Sequence, residues 1–310
     1  MNVADNLLVS IIISLLAVYV KCEFSFTSML SSGLSKIHTI IEYGQCNFVE
    51  CCSNEYISSE LDKLDYTLSE ELYGQDIAHH VVINALRGHL ISSNPPKALS
   101  LSFHGPPGTG KTYISQMIAK FLYKKGDQST FYHFFNGRND FPLQEKVNEY
   151  KGELYKIIIN SLQKCERSMF VFDEVDKMPE GSSRITQRLI TLWSEGKQRS
   201  EARLQDFENL ISIGAFNEKG GFYRSDTIDS SVIDHYVPFL PLEEAHVKKC
   251  LKKAFANRGI NPSNDMIEEG LSYVTFGPPP HNLYATAGCK RLEQKVAAIV
   301  YAKNKERLEF

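Results

Sequence analysis

The chain lacks the sequence features of several common classes of protein. Its 310 residues contain 34 Lys and Arg against 37 Asp and Glu, a net charge of −3, and no long run of basic residues. Proteins that bind mainly nucleic acid usually carry such a run, so nucleic acid is not expected as a partner. The Cys and His spacing of zinc sites and the GxSxG nucleophile motif are also missing, which argues against those two kinds of catalytic centre.

The N-terminal apolar stretch is too short to be a comfortable membrane span. Leu7–Val20 is unbroken by charge and has the size of a signal-peptide core, whereas a spanning helix needs about 20 apolar residues. The small residues around Val20-Lys21-Cys22 offer cleavage positions, but the start of the chain carries Asp5 and no basic residue. Residues 1–22 are therefore predicted to be either a signal peptide or a retained membrane-associating segment. The sequence contains no Asn-x-Ser/Thr sequon, so N-glycosylation sites give no support for a lumenal location.

Seven cysteines can be interpreted once the chain is placed in an oxidising lumen, where disulfides are permitted. They are Cys22, Cys46, Cys51, Cys52, Cys165, Cys250 and Cys289. Cleavage after Cys22 would leave six. Buried reduced thiols are the alternative interpretation.

A complete phosphate-binding loop is the most informative feature that the sequence does contain. The motif GxxxxGK[ST] is filled by Gly105, Pro106, Pro107, Gly108, Thr109, Gly110, Lys111 and Thr112. An apolar strand, Leu99–Phe103, precedes it and a helical pattern, Tyr113–Leu122, follows. In such a loop, backbone N–H groups surround the phosphates, Lys111 reaches the β and γ oxygens and Thr112 holds Mg²⁺. The sequence therefore predicts a site for ATP or GTP with Mg²⁺.

Thr130–Phe135 is predicted to be the second strand, and a third strand ends in two acids, Asp173 and Glu174, after the apolar run Met169–Phe172. Paired with the loop, this is the Walker B arrangement. Asp173 is predicted to hold Mg²⁺, and Glu174 to orient and polarise the attacking water.

Strands that alternate with helices predict a doubly wound α/β domain with a parallel sheet. We expect an N-terminal extension over residues 23–67, a nucleotide-binding domain over 68–237 and a small helical lid over 238–310.

Several further motifs resemble those of torsins, which are lumenal AAA+ ATPases related to the Clp/Hsp100 group. The resemblance covers nearly the whole chain and is carried by Cys46–Cys52, Gly74-Gln75, Leu101–Gly105, Phe172–Met178, Trp193–Arg199, Val237–Glu243 and Gly288-Cys289-Lys290. It implies a P-loop AAA+ fold and an ATPase of the endoplasmic reticulum lumen and nuclear envelope that remodels protein or membrane assemblies.

The resemblance also assigns residues. It implies that Gly74 and Gln75 contact the nucleotide and that Lys290, as the sensor-2 lysine, approaches the γ-phosphate from the lid. Cys250 and Cys289 match a pair that can form a disulfide beside the nucleotide, so redox state is expected to alter the response to nucleotide.

Two departures concern catalysis. Torsins usually carry Asn where this chain has Thr112, so this loop should hold Mg²⁺ at least as well. Clp-type relatives have an arginine finger in the region matched by Ser230–His235, where this chain has none. Torsins share that gap, so the resemblance implies a membrane-anchored activator whose lumenal domain supplies the arginine. A homo-oligomer or hetero-ring is expected, and the lumenal membrane surface is a further candidate partner.

A third departure concerns the sheet. Only Pro179–Arg184 stands where the family has a helix and the strand that ends in the sensor-1 asparagine. That strand should lie between the loop strand and the Walker B strand, so its absence would open the middle of the sheet. Either another segment fills the position, for which Leu210–Gly214 is a candidate, or the chain is a truncated splice form or a faulty gene model. The alternative to a working ATPase is then a nucleotide-gated binding module without turnover.

Overall fold

A five-stranded mixed sheet forms the centre of the molecule. The computed structural model describes residues 13–16, 46, 49–92, 94–174, 180–217 and 232–308. The strands of the sheet are β1 (Ile13–Leu16), β2 (Leu99–His104), β3 (Tyr132–Asn136), β4 (Ser168–Asp173) and β5 (His235–Pro238). They lie in the order β3-β4-β1-β2-β5. Strand β2 pairs with β5, and β3 with β4, in the parallel sense that the alternation of strands and helices predicts.

The two strands that lead into the site are buried on both faces. Five of the six residues in each of β2 and β4 are buried, and the last residue of each, His104 and Asp173, is partly exposed. In β2 the apolar residues alternate with Ser100 and Ser102, which are buried as well, whereas β4 is apolar from Met169 to Phe172. Both strands run antiparallel to β1 and are therefore parallel to each other, so His104 and Asp173 lie at the same edge of the sheet.

Six helices of the described part of the chain accompany the sheet. They are α1 (Leu61–Glu71), α2 (Asp76–Ile91), α3 (Lys111–Leu122), α4 (Val147–Lys164), α5 (Glu180–Ser194) and α6 (Glu208–Asn217). The largest core cluster joins α1, α2 and α3 to the sheet, with Leu64, Leu86, Ile114 and Leu101 all fully buried. A smaller cluster forms between α5 and α6. This α/β arrangement confirms the predicted fold class.

The C-terminal part has a core of its own. It contains α7 (Glu244–Ala256), α8 (Asn264–Ser272) and α9 (Leu292–Leu308), with a short hairpin of β6 (Phe276–Gly277) and β7 (Tyr284–Ala285). Val247, Leu251, Phe255 and Val296 are fully buried in this cluster. The helical lid that the sequence predicts over 238–310 thus has its own packed centre. Within the described parts of the chain, no helix is both long and apolar enough to cross a bilayer.

Strand β1 occupies the position where the sequence predicts an opening in the sheet. It lies between β2 and β4 and runs antiparallel to both, with Ile13 opposite Leu101 on one side and Val171 on the other. The candidate segment Leu210–Gly214 does not fill this position, because it belongs to α6. A run of five apolar and small residues fits a helix as well as a strand, and Ile211 packs with Phe207 and Leu189 instead.

Three disulfides hold the described part of the chain together. They join Cys46 to Cys51, Cys52 to Cys165 and Cys250 to Cys289. The second attaches the N-terminal extension to the end of α4, and the third joins the two lid cysteines that the resemblance pairs. The six paired cysteines are the six that would remain after cleavage behind Cys22, which itself lies outside the described residues. The other predictions on residues 1–12 and 17–45 lie outside them too.

Candidate functional site

The phosphate loop runs from the end of β2 to the first residue of α3. Gly108 and Gly110 adopt positive φ angles of 71° and 108°, a backbone conformation that residues other than glycine rarely adopt. A Cβ on Gly110 would lie 2.9 Å from Cδ1 of Leu72, and one on Gly108 would lie 2.8 Å from the backbone nitrogen of Lys290. The loop therefore has the glycine-dependent shape that a phosphate cradle needs, at the positive end of a helix dipole.

The Lys111 ammonium turns back onto its own loop. Nζ donates to the carbonyl oxygen of Gly105 at 2.7 Å and to that of Pro106 at 2.8 Å. The Thr109 hydroxyl also donates to the Pro106 carbonyl, at 2.8 Å. These contacts keep the positive charge of Lys111 within the cradle.

Thr112 and Asp173 meet across the sheet edge. The Thr112 hydroxyl, in the first turn of α3, donates to Oδ2 of Asp173 at the end of β4, at 2.8 Å. A hydroxyl and a carboxylate at this separation are the oxygen ligands that Mg²⁺ prefers beside phosphates. The structure thus brings together the two residues that the sequence predicts as metal ligands, although they are far apart in the chain.

Glu174 follows directly and stands at the rim of the site. Its φ is +52°, a left-handed conformation that is unusual for a residue other than glycine and often marks a functional position. Its backbone N–H donates to Oδ1 of Asp173 at 3.0 Å, and its half-exposed carboxylate lies 3.6 Å from Nε of Arg138. The carboxylate is accessible to water, as its predicted role requires.

The lid reaches the phosphate loop through its Gly288-Cys289-Lys290 turn. The backbone N–H of Cys289 donates to the carbonyl oxygen of Gly108 at 2.9 Å. A Cβ on Gly288, whose φ is +50°, would lie 2.7 Å from the carbonyl carbon of Gly108, so the two backbones touch. This turn brings Lys290 to the loop with its side chain exposed.

Gly74 and Gln75 lie beside the loop, but the side chain of Gln75 is buried and already bonded to the backbone. Its Nε2 donates to the Leu240 carbonyl at 2.8 Å, its Oε1 accepts from the Leu240 N–H at 2.8 Å, and the residue is 1% exposed. Its amide therefore ties the segment before α2 to the segment after β5 and has little capacity left for a ligand. Gly74 packs closely against the ring of His246 on α7.

A pair of polar contacts at Glu71 connects α1 with α3 and with α7 of the lid. Glu71 accepts hydrogen bonds from the Tyr113 hydroxyl on α3 and from Lys253 on α7, the latter at 2.5 Å. Although burial alone would raise it, the pKa of the Glu71 carboxyl is lowered by these two donors. Burial and the same carboxylate raise the pKa of Tyr113. The carboxylate is thus held charged between two elements that flank the nucleotide site.

Arg199 is a member of the site that sequence reasoning assigned no role. It lies in the Trp193–Arg199 stretch that resembles torsins, but nothing in that stretch alone says what its guanidinium contacts. In the structure the side chain is 14% exposed and bonds to residues of both segments that border the loop. Because these partners lie 42 and 125 residues away in the sequence, no local sequence pattern predicts the contacts.

Together, a glycine-shaped phosphate loop, a Walker B carboxylate within hydrogen-bond distance of the loop threonine and a lid turn on the loop define a P-loop ATPase of the AAA+ class. The family model described as Torsin matches residues 46–172. A torsin-like protein of Drosophila melanogaster is 35% identical over 301 aligned residues, covering 84% of this chain and 87% of that protein. A torsin-like protein of Caenorhabditis elegans is 32% identical over 286, covering 81% and 80%. The chain belongs to the torsin family.

Both alignments are longer than the part of this chain that they cover. The 301 aligned positions of the Drosophila protein correspond to 84% of 310 residues here. The alignment therefore includes positions of that relative without a counterpart in this chain.

Proposed function

We propose that this protein binds Mg-ATP at the Gly105–Thr112 loop and hydrolyses it when a partner completes the site. The observation that supports this most strongly is the 2.8 Å contact between the Thr112 hydroxyl and Asp173. The contact brings the two proposed metal ligands within hydrogen-bond distance at the N-terminus of α3, the helix that begins with Lys111. Membership of a family of AAA+ ATPases supports the same activity.

The residues present fit the two ligands. The glycines of the loop leave room for phosphate against backbone N–H groups, and Lys111 can exchange its carbonyl partners for the β and γ oxygens. Thr112 and Asp173 would hold Mg²⁺, which would neutralise part of the negative charge of the phosphates. Glu174 orients and polarises the attacking water, and Lys290 lies where the lid can bring positive charge to the γ-phosphate.

We further propose that the isolated chain turns over slowly. Ser230–His235 contains no arginine. In the described part of this segment, Asp234 has a structural role: it accepts a hydrogen bond from the Ser100 N–H at 2.8 Å and forms an ion pair with Lys97 at 2.6 Å. An arginine finger contributes about 10³ to 10⁵ in rate. A membrane-anchored activator with a lumenal domain would supply it, within a ring or hetero-ring.

A lumenal role in remodelling protein or membrane assemblies, in the endoplasmic reticulum and nuclear envelope, is part of the proposal. Three disulfides support it, because disulfides persist in oxidising compartments and are rare in the cytosol.

A nucleotide-gated module without turnover is the second candidate, and β1 favours it. The strand between β2 and β4 consists of Ile13, Ser14, Leu15 and Leu16, so it offers no asparagine in place of the sensor-1 residue. Adding an activator's lumenal domain separates the two candidates: release of phosphate supports the ATPase, and binding without release supports the module.

A thermal-unfolding titration with Mg-ATP tests the proposed site itself. A ligand at a hundred times its Kd stabilises the folded state by about 2.7 kcal/mol, which raises Tm by several degrees. We expect this shift in the wild type and in Glu174→Gln, which keeps the binding groups. Lys111→Ala should lose it. An unchanged Tm in the wild type at millimolar Mg-ATP would contradict the proposal.

A further inference from the structure

Arg199 is a buried cation that joins two separate segments. Its Nη2 donates to the Gly74 carbonyl at 2.5 Å, and its Nη1 donates to the Pro241 carbonyl at 2.7 Å and lies 3.4 Å from Oε1 of Glu243. Burial lowers the pKa of the guanidinium, and Glu243 opposes that effect. The side chain therefore bridges the turn before α2 and the start of the lid.

The arrangement is not one that stability alone favours. The Nε of Arg199 is buried and has no hydrogen-bond partner among the described residues. Burying a charge with an unsatisfied donor costs free energy that a well-packed apolar side chain would not. Such departures are expected where a residue serves a site.

Both segments that Arg199 joins border the phosphate loop. Leu72 packs on Gly110, and the backbone of Phe239 packs on Gly105. The reciprocal bonds between Gln75 and Leu240 connect the same two segments a second time. Arg199 and Gln75 thus form two cross-links beside the loop, on the side of α1, α2 and α7.

That side is opposite to the end of β4, because β5, which leads into Phe239–Glu243, lies on one side of β2, whereas β4 lies on the other side, beyond β1. Asp173 and Glu174 lie at the end of β4, so the metal and the γ-phosphate belong there. The ribose and base must therefore extend the other way, along Leu72–Gln75 and Phe239–Glu243. His246 of α7, in contact with Gly74, closes the same region.

We infer that Arg199 is a positioning residue for the base end of the nucleotide site, an inference that rests on the proposed Mg-ATP binding. It fixes the Gly74 and Pro241 peptides relative to each other, so that the base and ribose meet a preformed surface. It contributes to the affinity for the nucleoside part and not to that for the phosphates.

The test compares Mg-ATP with Mg-tripolyphosphate, which has the phosphates but no nucleoside, by calorimetric titration of the full chain. Arg199→Met keeps the unbranched stem of the side chain and removes the guanidinium group with its charge and hydrogen bonds. We expect it to weaken ATP binding by about tenfold or more, since hydrogen bonds to a charged group are lost, and to leave tripolyphosphate binding unchanged. Arg199→Lys, which keeps the charge, should lose less affinity for ATP and serves if the Met variant does not fold.

Two controls make the result specific. Arg188, on the same helical region, pairs with Asp206 at 3.2 Å away from the loop, so Arg188→Met should change neither affinity. Lys111→Ala should weaken both ligands. Equal weakening of both ligands by the Arg199 variants, or no effect on ATP, would overturn the inference while leaving the proposed site intact. A wild type that binds neither ligand would instead overturn the proposed function.

Discussion

At the residue scale, His104 is a titratable group directly before the phosphate loop. Its ring nitrogen Nε2 shares a hydrogen bond of 2.6 Å with the Ser102 hydroxyl. Burial, and then the positive charge of Lys111, lowers its pKa to about 3. The imidazole is therefore neutral at any physiological pH, so Lys111 has no second positive charge next to it at this position.

This environment predicts how stability depends on pH. The unfolded chain binds a proton on His104 below about pH 6.5, whereas the folded chain does not until about pH 3, so the free energy of unfolding falls as the pH drops through that window. Between pH 7 and 5 the loss from this group is about 2 kcal/mol. Urea unfolding at pH 7 and 5 measures it.

The matched variant is His104→Gln, which can still bond to Ser102 but does not titrate. Its free energy of unfolding should fall less between the two pH values than that of the wild type. Part of the dependence should remain, because burial also lowers the pKa of His89, His133 and His246. The same pH dependence in both proteins would refute the assignment to His104.

At the element scale, one disulfide links a lid helix to the phosphate loop. Cys250 lies on α7, and its partner Cys289 lies in the turn before α9 whose N–H bonds to Gly108. On its other side, α7 contacts Gly74 through His246 and Glu71 through Lys253. The position of α7 is thus coupled to both ends of the nucleotide site.

Reduction of this disulfide is expected to change the affinity for Mg-ATP. Without the cross-link, the 288–290 turn can move relative to α7, so its contact with Gly108 is no longer held by that helix. Binding titrations of oxidised and reduced protein should differ in the wild type and agree in Cys250→Ser.

The Cys46–Cys51 disulfide provides the control, because it closes a short loop in the N-terminal extension. Cys46→Ser should keep the difference between oxidised and reduced protein. Equal affinities for oxidised and reduced wild type would rule out redox coupling through the lid.

At the scale of the whole molecule, the continuity of the sheet depends on a segment far from it in sequence. Strand β1 pairs on both edges, with β2 through Ile13–Leu15 and with β4 through Ile13–Leu16. The same residues lie in the stretch predicted as a signal peptide, and a chain that has lost them cannot contain β1. The mass of the protein isolated from a secretory compartment shows whether this segment is cleaved as a signal peptide or retained as β1.

Deletion of residues 1–22 should strongly destabilise the fold. Backbone groups of β2 and β4 would lose their partners, at about 1 to 3 kcal/mol for each buried group, against a total of about 5 to 15. Differential scanning calorimetry should show a much lower Tm or no cooperative transition.

Deletion of residues 1–6 is the matched control, because it retains the β1 residues. It should unfold close to the full chain. Cooperative unfolding of the longer deletion at the temperature of the full chain would show that β1 does not stabilise the sheet.

The sequence by itself determined the chemistry of the phosphate site. The Gly105–Thr112 loop and the Asp173-Glu174 pair are contiguous motifs, and their geometry follows from the strand, turn or helix that each belongs to. The sequence predicted an opening between β2 and β4 from the strand order that the family resemblance implies, but not that β1 fills this position. The Cys250–Cys289 pair came from that resemblance alone.

Only the tertiary structure decided which distant groups meet. Six cysteines allow fifteen pairings, so Cys52–Cys165 could not be derived from spacing. Leu210–Gly214 is apolar enough for a strand, but packing against α5 made it part of a helix. The cross-links of Arg199 and Gln75 join residues that are far apart along the chain. Such contacts depend on how the helices and strands pack against one another, which local residue patterns do not determine.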